Sequence, residues 1–388
     1  MMFQRFLSTA GVLALAVLFL VGCDSSNGGD DDIATPDTYE FTRDGESSVS
    51  YSGQTDRLNM VGEIKSLLGN ADAGEVVTEA DLQAMFTNEG GDGGGNFSFT
   101  SDRQLANKTF APDLDSGGFL DGLFARIETA SEAGASGVTA SDGTAGLIER
   151  ESGSTILVDE NGREFTQIVE KGLMGAVFYN QIFNVYLTND RIGPDVENDE
   201  VEAGTNYTPK EHHWDEAFGY FAAPVNFDSE WDEDTDGSLS FWANYSETVD
   251  PQLGTNDLVM DAFIAGRTAI VNDNEARKNA QRDELYRQLE IVSAATTVYY
   301  INGTLEALSR GEQGEAFHAL SEAWAFANAL KYLPGDRRTL SLDEIETIKE
   351  EDFGANGNFW NATPATLNTA KSKIVEAFPV LAPVQDQL

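Results

Sequence analysis

Cysteine, histidine and basic residues are all scarce in this chain of 388 residues. It contains one cysteine, three histidines, and 24 Lys and Arg residues against 66 Asp and Glu. A single cysteine excludes an internal disulfide, so packing alone must hold the fold. The net charge of −42 repels phosphates and argues against nucleic acid as a partner. Because the acidic residues are spread along the chain, we interpret them as a surface adapted to high salt, with general cation capture as the alternative.

The common hydrolase motifs are also missing from the sequence. Neither the zinc-protease pattern His-Glu-x-x-His nor the nucleophile pattern Gly-x-Ser-x-Gly occurs. A Ser-His-Asp catalytic triad is an alternative that the sequence leaves open, and only three histidines are available as its base. We therefore expect a protein that is not an enzyme, and keep a peptidase-like hydrolase as the enzyme alternative.

The start of the chain has the pattern of an export signal. Arg5 is the only charge before an apolar run over residues 7–21. That run is shorter than the roughly 20 apolar residues that a transmembrane helix requires. Leu-Val-Gly and then Cys23 follow, which resembles the lipobox of bacterial lipoproteins. We predict a signal peptide over 1–22, lipid on Cys23, and a flexible acidic tether over 23–38.

Helical patterns of apolar residues fill the rest of the chain, residues 39–388. Strand patterns are limited to 47–51 and 155–158. The fold class we predict is mainly α, a helical bundle. Apolar spacing and end signals predict helices over residues 57–68, 81–86, 119–133, 165–187, 209–221, 257–272, 274–308, 316–330, 341–350 and 364–378.

One pattern occurs twice. Residues 212–220 and 318–326 both read His, three residues, Glu, Ala, a large aromatic residue, a small residue and an aromatic residue. Each copy follows an apolar helix that contains tyrosine. A pattern that recurs together with its preceding helix predicts an internal duplication of a helix pair, with halves at about 160–250 and 257–388.

The repeated His and Glu residues have the spacing of metal ligands. His212 precedes Glu216 by four residues, His213 precedes it by three, and His318 precedes Glu322 by four. Such residues share one face of a helix, where imidazole and carboxylate can hold iron, copper or zinc. We predict His213 and Glu216 as first ligands, with His212 on the same helix and with His318 and Glu322 on a facing helix as partners. A hydrogen-bond network without metal is the alternative.

A second pattern of carboxylates suggests calcium. Asp232, Asp234 and Asp236 alternate before Gly237, as in the first half of a calcium-binding loop. The acidic residue expected at the twelfth position is missing, because Ala243 stands there. The prediction is a structural calcium ion, and a solvated acidic turn is the alternative.

The sequence also resembles a known family. Residues 213–216 read His-Trp-Asp-Glu, like the His-x-x-Glu motif of the imelysin-like family. The chain is most similar to the lipoproteins of domain of unknown function 4856, through segments 51–54, 57–58, 85–88, 172–179 and 213–220. The resemblance implies a two-part helical bundle with internal duplication, export, and a link to acquisition of iron or other metals. A peptidase label is also attached to imelysins. The second copy departs from the motif, since Ser321 stands at the third place after His318 and Glu322 at the fourth.

These observations predict a lipid-anchored binding protein outside the cytoplasm. Its expected ligand is a metal ion or a metal-bearing ligand, and its expected partners are the membrane, through lipid, and a protein of an uptake system. We expect it in the cell envelope, at the outer membrane, at the periplasmic face or on the cell surface. A structural or surface-interaction lipoprotein is the third class that stays open beside binding and hydrolysis.

Overall fold

Helices form most of the residues that the computed structural model describes, which are 32–109, 120 and 122–388. The prediction of a mainly α bundle is confirmed. The α-helices are α1 (Ser52–Asp72), α2 (Glu79–Thr87), α3 (Leu123–Ala135), α4 (Phe165–Leu173), α5 (Asn189–Ile192), α6 (Pro209–Phe221), α7 (Glu233–Asp236), α8 (Phe241–Leu253), α9 (Thr255–Val271), α10 (Glu275–Arg310), α11 (Gln313–Ala329), α12 (Leu342–Thr347) and α13 (Pro364–Ala377).

The predicted signal peptide, Cys23 and the first part of the predicted tether lie outside the described residues. Within the described ranges, no helix is long and apolar enough to cross a membrane. Residues 33–388 form one compact unit. Ile33 already belongs to it, because the Asn272 side chain bonds both its backbone N–H, at 2.9 Å, and its carbonyl, at 3.0 Å. Ordered contacts thus begin inside the segment predicted as tether.

Local capping signals fix the start of the helix that carries the first His–Glu pair. The Thr208 hydroxyl accepts from the N–H of Glu211, and the Glu211 carboxylate accepts from the N–H of Thr208. Pro209 occupies the first helical position, where a missing N–H breaks no hydrogen bond. These signals were read from the sequence, and α6 begins and ends where predicted.

The helix predicted over residues 165–187 is the buried centre of the fold. Here α4 runs on through two π-helical turns, Met174–Tyr179 and Ile182–Tyr186. We call α4 and these turns the central segment. Its side chains are apolar on most faces and nearly all buried. Tyr179 stacks on Trp242 of α8 at 3.6 Å between ring centroids, and donates to the Leu289 carbonyl of α10 at 2.7 Å. Helices α8 and α10 therefore pack on this segment.

The described residues contain two sheets, and each of them is a short hairpin. Strand β1 (Thr42–Arg43) pairs antiparallel with β2 (Glu46–Ser47), and β3 (Gly146–Glu149) pairs antiparallel with β4 (Thr155–Val158). The strand predicted over 155–158 is confirmed. The strand predicted over 47–51 ends at Ser47, because Tyr51 already stands at the N-terminal cap of α1.

Each predicted repeat half contains a long apolar helix and a shorter helix with a His–Glu pair. The second π turn of the central segment packs against α6, and α10 packs against α11 along its length. These contacts provide the helix pairs that the repeat requires. The internal duplication itself stays a prediction.

Candidate functional site

The two His–Glu pairs lie near opposite ends of the central segment. His318 Nδ1 lies 2.7 Å from the carboxylate of Glu164, the residue before α4. At the other end, Gln54 donates to both Glu216 Oε1, at 2.9 Å, and the Tyr186 hydroxyl, at 3.4 Å. A rise of 1.5 Å per residue separates Glu164 from Tyr186 by about 30 Å. The structure therefore does not bring the five predicted ligands to one point.

Helix α6 places two imidazoles around one carboxylate. His213 Nδ1 lies 3.5 Å from Glu216 Oε2, and His212 Nε2 lies 4.0 Å from Glu216 Oε1. Both contacts follow from the helical spacing that was read in the sequence. We call this group, with Gln54 and Tyr186, the Glu216 site. Its three predicted members each keep between 16% and 23% of their side-chain surface exposed, so small ligands can reach them.

Hydrogen bonds fix which nitrogen of each imidazole carries a proton. His212 Nδ1 lies 3.0 Å from the Ser50 carbonyl, which can only accept, so this nitrogen is the donor. In neutral His212 the Nε2 lone pair then faces Glu216. His213 Nε2 lies 3.4 Å from Arg191 Nη1, which can only donate. Neutral His213 therefore carries its proton on Nδ1, toward Glu216, and the two histidines differ in what they offer a ligand.

The carboxylate at the centre of the site is held in its charged form. Burial raises the pKa of Glu216, but the contact with His213, the charge of His212 and the bond from Gln54 outweigh it, so the pKa lies below its usual value. Burial and the Glu216 charge raise the pKa of the Tyr186 hydroxyl, which remains a donor. The site is thus one anionic carboxylate among hydrogen-bond donors.

A buried ionic network orients α6 so that its His–Glu face is exposed. Arg267 donates from Nε to Asp215 Oδ1 at 2.9 Å and from Nη1 to Glu211 Oε1 at 2.8 Å. The Tyr39 hydroxyl donates to Asp215 at 2.7 Å. Burial raises the pKa of Asp215 to about 6, although the Arg267 charge lowers it. Asp215 stands inside the recognised motif, yet its contacts are with the core and not with the site.

The second His–Glu pair belongs to a buried network of charged side chains, in which Glu322 Oε2 has no hydrogen-bond partner among the described residues. His318 Nε2 lies 3.8 Å from Glu322 Oε1, and Lys171 Nζ lies 3.2 Å from the same oxygen. Lys171 also pairs with Glu170, and its side chain is only 2% exposed. Burial lowers the pKa of His318, but its bond with Glu164 outweighs this and the pKa is raised. His318 thus lies between two carboxylates that favour its charged form.

The predicted calcium residues lie in a single helical turn. The Asp232 carboxylate accepts from the N–H of Asp234 at 2.9 Å, and the Asp236 carboxylate accepts from the N–H of Asp232 at 3.1 Å. These oxygens therefore bond the backbone of their own turn, and calcium stays a prediction. Within the described ranges, no three His, Cys, Asp or Glu side chains converge as a metal-binding group.

Several residues of the Glu216 site could not be found from the sequence. Gln54 lies in the segment 51–54 that carries the family likeness, but its contact with Glu216 spans most of the first half of the chain. Tyr186 ends the central segment, and Lys108 reaches it from a loop, with Nζ 3.3 Å from the hydroxyl. No local pattern links these residues to α6, because the tertiary fold brings them together.

The family model titled "Domain of unknown function (DUF4856)" matches residues 36–380. The chain belongs to this family. The match confirms the resemblance drawn from the sequence and includes every described residue of the Glu216 site. No curated protein and no solved structure matches the chain. The description of this family names no activity.

Proposed function

We propose that this protein captures a metal-bearing ligand at the Glu216 site, outside the cytoplasm, for an uptake system. The observation that carries the proposal is the placement of His212 beside the Glu216 carboxylate on a partly exposed face of α6. Imidazole and carboxylate are the donors that iron, copper and zinc take from proteins.

The two histidines fit a metal unequally. His212 has the second contact typical of a metal ligand, since its Nδ1–H bonds a backbone carbonyl and leaves Nε2 facing Glu216. His213 does not fit, because Arg191 occupies its Nε2 and its Nδ1 carries a proton. His212 and Glu216 are therefore the residues that would hold the metal.

A site with two metal ligands from the protein suits a metal ion that is already bound by a chelator. A bare ion is held by three or four protein ligands in most sites of this kind. A chelated ion already has most of its positions filled by the chelator, so one or two donors from the protein suffice. The site thus favours a metal-bearing ligand over a free metal ion.

The proposed place of action follows from the start of the sequence. The apolar run over residues 7–21 and the lipobox-like residues before Cys23 support export and lipid attachment. A tethered binding protein holds its ligand close to the membrane and can pass it to a transport protein there. We propose the cell envelope as its location and an uptake-system protein as its partner.

Calorimetric titration with ferric citrate tests the proposal. The full chain, purified in detergent, is compared with Glu216→Gln, which removes the charge and keeps the size of the side chain. We expect binding by the parent and at least a tenfold weaker affinity in the variant. Glu322→Gln is the matched control, since it makes the same change in the other His–Glu pair and should leave affinity unchanged. Equal affinity of the parent and Glu216→Gln would overturn the proposal.

A further inference from the structure

Three basic side chains near Glu216 form no ion pair with a described carboxylate. Most of the described Lys and Arg residues lie within 4.0 Å of an Asp or Glu oxygen. Among the described residues, those that form no such pair are Arg57, Lys108, Arg191, Arg277 and Arg338. With 66 acidic residues against 24 basic ones, an unpaired cation is the exception in this chain. Three of these five, Arg57, Lys108 and Arg191, lie near one another, which points to a local role.

All three cations belong to the surroundings of Glu216. Lys108 Nζ lies 3.3 Å from the Tyr186 hydroxyl and 5.5 Å from the centre of its ring. Arg191 Nη1 lies 3.4 Å from His213 Nε2. Arg57 lies one helical turn after Gln54, and donates only to backbone carbonyls, that of residue 53 at 3.0 Å and that of residue 104 at 2.9 Å. Three basic side chains thus lie near a single carboxylate, and burial and the Arg57 charge lower the pKa of Lys108.

A buried hydroxyl beside them also lacks a partner. Tyr220 stands one turn after Glu216 on α6, and its side chain is 0% exposed. The Arg57 guanidinium lies close enough to lower the pKa of this hydroxyl, but no donor or acceptor among the described residues forms a well-aligned hydrogen bond with it. Burial raises the pKa of this phenol, so it remains protonated and able to donate. A buried hydroxyl without a bond is unfavourable, and an anionic oxygen would satisfy it.

The electrostatics of this group discriminate between ligand charges. A free metal cation would approach three positive charges, and Glu216 balances only one of them. An anion would be attracted by all three positive charges, and the low dielectric of a partly buried site strengthens this attraction. The net charge of −42 repels anions from the molecule as a whole, so an anion would need a local group of cations to bind.

We propose that the Glu216 site binds an anion, with Lys108, Arg191 and the Tyr220 hydroxyl as donors to its carboxylate or phosphate-type oxygens. Arg57 contributes a further positive charge near the site. This inference rests on the proposed binding function of the same site and names the charge class of its ligand. An anionic metal chelate meets both requirements, since its oxygens face the cations and its metal faces His212 and Glu216.

Titration with metal-free citrate and with inorganic phosphate separates the anion from the metal. The full chain is compared with Lys108→Gln and with Tyr220→Phe, which removes only the unpartnered oxygen. The matched control is Arg277→Gln, because Arg277 also lacks a carboxylate partner but bonds Thr35, outside the site. We expect the parent to bind citrate, about tenfold weaker affinity in Lys108→Gln and Tyr220→Phe, and no change in Arg277→Gln. Tyr220→Phe should melt no lower than the parent.

Each outcome decides one of the two proposals. If neither anion binds the parent, or if citrate binds the parent, Lys108→Gln and Tyr220→Phe equally, the anion inference is overturned. Binding of iron or zinc that needs Glu216, without any binding of citrate or phosphate, would overturn this inference alone. Citrate binding that is lost in the variants, with no added affinity for ferric citrate, would support the anion and overturn the metal-bearing ligand.

Discussion

Replacing Arg267 by Met should destabilise the protein strongly. The Arg267 side chain is 0% exposed and pairs with two carboxylates that are 1% and 0% exposed, those of Glu211 and Asp215. Met keeps much of the volume and removes the charge. Loss of one partner from a buried ion pair costs about 3–5 kcal/mol, because the other charge stays buried. Glu211 retains Arg43, so the loss falls mainly on Asp215.

The size of this loss should depend on pH. Burial raises the pKa of Asp215 to about 6 in the folded protein, against 3.8 for the free group. A raised carboxyl pKa means that the charged form costs stability, a cost that appears as the pH rises from about 4 through the folded value. Without Arg267 the pKa rises further. The variant should therefore be most destabilised at pH 8, and less so at pH 5, where Asp215 is neutral.

Urea unfolding followed by circular dichroism at pH 8 and pH 5 measures both effects. Arg43→Met is the matched control, since its side chain is 31% exposed and its pair with Glu211 should contribute about 1 kcal/mol or less. A loss below about 1 kcal/mol in Arg267→Met at pH 8 would refute the role of the buried network. A loss of the same size at both pH values would refute the assignment of the cost to Asp215.

Two further predictions concern packing and the second His–Glu pair. Gly266→Ala should lose about 1–3 kcal/mol in denaturant unfolding, because its Cβ would overlap the Trp214 ring. Gly303→Ala, another helical glycine, has its nearest neighbour at 3.8 Å and should be neutral or up to about 1 kcal/mol more stable. His318→Gln should lower the melting temperature more at pH 6 than at pH 9. The raised pKa of His318 gives stability that is complete below its ordinary value of 6.5 and fades as the pH rises through the folded value.

Local signals in the sequence predicted most of the helices. A capping residue and a following Glu define the starts of α6 and α12, and apolar periodicity defines the long helices. Helix α8 was missed because its ends carry residues that usually break helices. Phe241 has a positive φ of 51°, Pro251 lies inside the last turn, and Gly254 follows with φ of 65°. Tertiary packing of Trp242 overrides these local preferences.

The sequence predicted only the part of the candidate site that lies on helix α6. The positions of His212, His213 and Glu216 follow from helical spacing, and the structure has them side by side. The sequence also predicted that His318 and Glu322 would join these residues, but in the structure they lie elsewhere. A repeated sequence pattern fixes neither the distance between its two copies nor their orientation. The donors from outside α6 come from remote parts of the chain, and their positions depend on the whole fold.

The charge of the site also depended on the structure. Composition gives only the net charge of the whole chain, which is strongly negative, and cannot show which cationic side chains lack a carboxylate partner. Only the three-dimensional arrangement separates Arg57, Lys108 and Arg191 from the basic residues that neutralise carboxylates elsewhere. This local excess is what turns a predicted metal-ion site into a proposed site for an anionic, metal-bearing ligand.

A crystal of the protein soaked in ferric citrate, measured at the iron absorption edge, tests the central claim most directly. We predict an anomalous peak beside His212 Nε2 and Glu216, with citrate oxygens toward Lys108 and the Tyr220 hydroxyl. An iron peak at His318 and Glu322, or iron bound with no citrate near Lys108, would contradict the account.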